Sequence, residues 1–129
     1  MSKLLFTYWI LVASWQMGVP AHQVVVDDDV VTWAWAAMCA DCEPRRYEVT
    51  TALLEYGDPT FLKLTAYHEV CHNWLGHGEH WVTINGPDPI VEMEENAANF
   101  CVTQYTDVTL EEINAADDTA LKWDETFLN

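Results

Sequence analysis

YHEVCHNWLGHGEHW, residues 67–81, holds four of the chain's five histidines and two glutamates. Its opening, His68-Glu69-Val70-Cys71-His72, is an HExxH pentapeptide. On a helix, residues four apart share a face, so both imidazoles reach one point and Glu69 stands beside it. The flanks predict that helix. Asp58 is placed to cap it, Pro59 takes the first helical position, where its missing N–H is harmless, and Gly76 supplies the stop. Phe61, Leu64, His68, Cys71 and Leu75 follow at spacings of three and four, which puts His68 in a core-facing stripe.

Two imidazoles and a carboxylate in such a stripe are costly unless something coordinates or hydrogen-bonds them. The spacing points to a divalent metal, with His68 and His72 as ligands. Zinc bound through imidazole nitrogen acidifies a water, and Glu69 is placed to take its proton as that water attacks a carbonyl. A catalytic zinc keeps three protein ligands, so one is missing. His77 and His80 are near but follow the helix stop, and the sixth position after His72, where the long metzincin pattern has its third histidine, is Gly78. The other source is the next helix, expected over 90–106. At 100° per residue, Ile90, Ala97, Ala98, Cys101, Val102 and Tyr105 form an apolar face with Glu94 near its centre and Glu95 at its edge. An acid on a core-facing surface needs a cation, whereas Glu92 suits a solvated helix N-terminus.

Around this pair the chain alternates strands and helices. Ser2 is placed to cap a helix whose run over residues 4–17 holds no Gly or Pro, and Gly18 and Pro20 end it. The same residues also resemble a secretory signal cleaved after Ala21, and their apolar run is too short to span a bilayer. Residues 22–26 read as a short strand. Residues 30–39 and 45–54 read as an antiparallel hairpin, since Tyr47, Val49, Thr51 and Leu53 alternate with Arg46, Glu48, Thr50 and Ala52. Thr109 and Glu112 form a capping box that opens a last helix. These elements give an α+β fold, one domain over residues 1–129, in which a small antiparallel-rich sheet packs on the HExxH helix.

Half of the 129 residues are apolar, enough for a real core. Twenty-one acids against five basic residues give a net charge of −16, which repels phosphate backbones; no nucleic-acid partner is expected. The four cysteines define no disulfide framework by spacing, and Cys39 and Cys42 form a lone CxxC. The expectation is free, partly buried thiols in a reducing, cytoplasmic setting, or a secreted protein if residues 1–21 are a signal.

HEVCHNWLGH resembles the HExxHxxLGH stretch of ImmA/IrrE-type peptidases, and EENAANF is similar to their downstream ExxAN helix, which supplies a glutamate ligand. The order of elements also resembles small phage and bacterial zincin-like metallopeptidases. The resemblance implies a zincin-like fold and zinc-dependent hydrolysis of a peptide or protein substrate. His68 and His72 are then ligands and Glu69 the general base. Glu95 keeps the family's Ala and Asn at plus three and plus four, while Glu94 keeps Ala at plus three, so both stay open as third ligand. HGEHW, residues 77–81, is similar to the HGxxW element of SprT-like proteases, in which His77 would take that place at a shorter spacing. A zinc-binding module without turnover, or an acidic decoy of a DNA-binding partner, are the other classes compatible with the composition.

Overall fold

The computed structural model describes residues 2–28, 35–39, 42–77 and 89–115. The elements run α1 (Ser2–Met17), β1 (Gln23–Val26), β2 (Ala36–Cys39), β3 (Arg46–Val49), α2 (Thr51–Tyr56), α3 (Pro59–Leu75) and α4 (Pro89–Tyr105). A further helical segment covers 110–115, where the Glu112 amide donates to Thr109 Oγ1 at 3.2 Å. The result is a small α+β fold.

The HExxH helix forms where its flanks demand it. Asp58 Oδ1 accepts from the Phe61 amide at 2.7 Å, Pro59 follows in the first turn, and Gly76 closes the helix in the left-handed region at φ 75°. A side chain is disfavoured at that φ, so glycine sets the point where the helix ends. α3 lies at the centre of the fold and packs against α1, α4 and β2. That crowding buries Leu62, Ala66, Tyr67, Glu69 and Val70 as well as Leu64 and Cys71. The single stripe expected from the spacing is therefore too narrow, and Leu75 at its end is left partly exposed.

Three strands form one mixed sheet in the order β1-β3-β2. β2 runs antiparallel to β3 with Ala36 opposite Val49, and β1 runs parallel to it with Gln23 opposite Arg46. The expected hairpin is present but shorter. β3 stops at Val49 because the buried Thr50 caps a helix: its hydroxyl accepts from the Leu53 amide at 3.2 Å and donates to the Trp35 carbonyl at 2.9 Å. Asp28 secures the next residue, accepting from the Thr51 amide at 2.8 Å. Alternation through 51–54 therefore belongs to α2, not to a strand. The part of the hairpin over 30–34 lies outside the described residues.

α1 is part of the core: Phe6, Ile10 and Ala13 are fully buried, and Tyr67 of α3 donates to Gln16 Oε1 at 2.6 Å. Among the described residues, no helix is long and apolar enough to cross a membrane. The cysteines correct the expectation of free thiols. Cys39 pairs with Cys42 and Cys71 with Cys101, the second bond tying α3 to α4. Spacing could not reveal this, because the approach of Cys71 and Cys101 to a Cα separation of 6.0 Å is created by helix packing.

Candidate metal centre

One helical turn of α3 sets the His68 and His72 rings edge to face, 4.6 Å between centroids, with their Nε2 atoms 3.0 Å apart. α4 adds a carboxylate. Glu95 places Oε2 2.8 Å from His68 Nε2 and Oε1 2.8 Å from His72 Nε2. Glu95 shares its side of α4 with Ala98, Asn99 and Val102, three, four and seven residues on, all buried against the core. Ile90, expected on the apolar face, is 55 % exposed. The buried face is thus rotated from the one the apolar residues suggested, and Glu95 meets the imidazoles while Glu94 stays outside the cluster.

The outer ring nitrogens explain how the inner ones are poised. His68 Nδ1 lies 2.8 Å from Asn99 Oδ1. An amide oxygen only accepts, so Nδ1 carries a proton, and in the neutral ring Nε2 is then the lone-pair nitrogen that faces Glu95. His72 Nδ1 lies 2.8 Å from His77 Nδ1. With His72 as donor there, its Nε2 is likewise bare. His77 reaches that position because the left-handed Gly76 turns the chain back, and the His77 amide donates to the His72 carbonyl at 3.0 Å. This places His77 behind His72, on the side away from the point where the three inner donors meet.

Burial lowers the His72 pKa, against the pull of Glu95. For Glu95, whose side chain is about half exposed, burial acts upward, but His68 and His72, donating from Nε2 when their rings carry a second proton, outweigh it and hold the carboxyl far below the usual range. With both rings neutral and protonated at Nδ1, the cluster joins a carboxylate to two nitrogen lone pairs, an arrangement that a shared cation satisfies. Tetrahedral zinc with bonds of about 2.0–2.1 Å has donor atoms about 3.3–3.4 Å apart. The observed separations of 2.8–3.0 Å need to open by only a few tenths of an ångström. His68, His72 and Glu95 fit a divalent metal with one coordination position left over, and the backing of each histidine by a second group is typical of metal-binding imidazoles.

Glu69 sits beside this cluster and is nearly fully buried. Burial pushes its pKa up to about 8, with His68 acting downward and Glu95 upward. Tyr47, also buried, accepts from Asn73 Nδ2 at 3.2 Å; burial, together with the charge of Glu69, moves its pKa to about 12. The phenol therefore stays neutral next to the glutamate.

Of the other residues singled out from the sequence, Tyr105 packs edge-on against Trp74, and His80 and Gly78 lie outside the described residues. Cys39, Cys42 and Glu48 also cluster, but the disulfide between the cysteines removes the thiolates a metal would use. The residue that the reading of side-chain chemistry missed is Asn99. Its only signal was its place four residues after Glu95. No family model matches the chain, and no curated protein or solved structure matches it.

Proposed function

We propose that the chain is a zinc-dependent metallopeptidase. The observation that carries this reading is the Glu95 carboxylate spanning the two HExxH imidazoles at 2.8 Å each, with the buried Glu69 alongside. His68, His72 and Glu95 would hold the ion. Bound there, zinc supplies Lewis acidity that polarises a peptide carbonyl and acidifies a water. Glu69 accepts a proton from the water as its oxygen attacks the carbonyl carbon, then delivers that proton to the amide nitrogen as the C–N bond breaks. A carboxyl whose burial raises its proton affinity suits both halves of that transfer near neutral pH, and a dication close by favours its ionised form at the start.

The substrate is an extended peptide. Among the described residues β2 is an outer strand of the sheet and packs against α3, so a peptide adding alongside it would lie next to the HExxH helix. The two disulfides favour an oxidising compartment over the reducing one expected from spacing.

The test is Glu69→Gln. The substituted protein should keep one zinc per chain and lose peptide hydrolysis, by a factor of roughly 100 or more if proton transfer is removed. The competing reading is a zinc-binding module without turnover, favoured only by the burial of Glu69. Wild-type protein that holds zinc yet cleaves no peptide in a mixed-sequence library would establish it.

A further inference from the structure

α1 carries two apolar seams. Phe6, Ile10, Ala13 and Met17, at spacings of 4, 3 and 4, form the inner one and are buried in the core. Leu4, Tyr8, Leu11 and Trp15 repeat the same spacing two positions earlier and point outward, 71, 54, 51 and 83 % exposed. A 4-3-4 alternation is the seam by which one helix packs along another. Helices apolar all round are normally covered all round.

We propose that this outer seam is a homodimer interface in which α1 pairs antiparallel with α1 of a second copy of the chain. Two properties select that occupant. First, the seam is its own complement. A two-fold axis midway between residues 8 and 11 sets Leu4 opposite Trp15 and Tyr8 opposite Leu11, each aliphatic side chain meeting an aromatic one. Second, charge leaves this face to a like partner. The chain carries a net charge of −16, yet its first acid is Asp27, so α1 itself bears no negative charge and adds none of its own to the repulsion between two such anions. Lys3, the one charged residue of α1, falls opposite Gln16 of the other copy, against the negative end of that helix. A basic protein partner would instead seek the acids, which lie elsewhere.

The pairing leaves the metal cluster open. α1 lies on the flank of α3 marked by Lys63 and Tyr67, where Lys63 Nζ sits 4.6 Å from the Trp9 ring centroid and Tyr67 reaches Gln16. His68 and His72 face α4. The dimer therefore stands or falls independently of the proposed peptidase activity.

The area involved, on the order of 500 Å² per copy, is below the roughly 800 Å² of a standard interface, so dissociation in the micromolar range is expected. Sedimentation equilibrium of the full chain across that range tests it, with folding checked by circular dichroism. The expected result is a mass rising from 14.8 kDa to twice that value, more readily as salt screens the charge. Leu11→Glu and Trp15→Glu should remain folded and monomeric, while Phe100→Glu, at an exposed apolar site on α4, should still dimerise. Leu11→Gln repeats the test without added charge and should weaken the dimer at least tenfold. A wild-type chain monomeric at about 0.5 mM would overturn the proposal. So would a dimer indifferent to Leu11, one lost equally in Phe100→Glu, or binding of α1 to phosphatidylcholine vesicles in place of self-association.

Discussion

Asn99 Oδ1 accepts from His68 Nδ1 at 2.8 Å, so a residue on α4 fixes which nitrogen of a histidine on α3 faces the metal cluster. The contact joins the two helices that carry the candidate ligands. Loss of such an outer partner typically weakens a metal site 10- to 100-fold. Asn99→Ala should lower zinc affinity by about that factor in a chelator competition, and Asn99→Asp, which keeps an acceptor in place, should restore most of it.

His77 stands in the same relation to His72, nitrogen to nitrogen at 2.8 Å. Its removal should also weaken zinc binding, by roughly tenfold, without changing the ligand count. Cobalt substitution reads this directly. His77→Ala should keep the absorption envelope of the wild-type cobalt form at a higher dissociation constant, whereas loss of a true ligand would change the envelope itself.

Glu69 gives the metal-free protein a distinctive pH dependence. Its pKa is raised from 4.5 to about 8, so the folded state holds a proton that the unfolded state has released across that interval. Its contribution is favourable below pH 4.5 and is lost as pH rises toward 8, with a total on the order of a few kcal/mol. Glu95 and His72 act in the opposite sense: their pKa values are lowered by folding, so stability falls as the medium turns acid. Thermal melts in chelator should show Glu69→Gln stabilising the fold at pH 8 far more than at pH 5.

The Cys71–Cys101 bridge lies one residue from His72 and spans 30 residues of chain. A loop of that length stabilises by roughly 3–4 kcal/mol through restriction of the unfolded chain. Replacing both cysteines by alanine should therefore lower the denaturation midpoint markedly and weaken zinc binding with it. The Cys39–Cys42 bridge closes a loop of only three residues' separation, and its removal should cost less.

How much of this was legible in the sequence follows from how local each feature is. The HExxH helix was readable because its cap, its stop and both imidazoles fall within one continuous segment, where helical periodicity alone sets the geometry. Thr50 misled because a threonine that caps a helix looks the same in sequence as one that alternates in a strand. The choice between Glu94 and Glu95 was open because the face α4 buries depends on what it packs against; the exposed Ile90 and the buried Asn99 rotate that face from the one the apolar residues suggest. The disulfide partners were hidden for the same reason, since Cys71 and Cys101 meet only once α3 and α4 have docked.

The central claim is that His68, His72 and Glu95 together grip one divalent ion, and zinc-edge X-ray absorption on stoichiometrically loaded protein tests it most directly. The account predicts one zinc per chain with two imidazole nitrogens and a carboxylate oxygen at about 2.0–2.2 Å, a shell that loses its carboxylate in Glu95→Gln and is unchanged in Glu94→Gln. A sulfur shell, a spectrum of zinc free in solution, or equal sensitivity to both glutamine substitutions would contradict it.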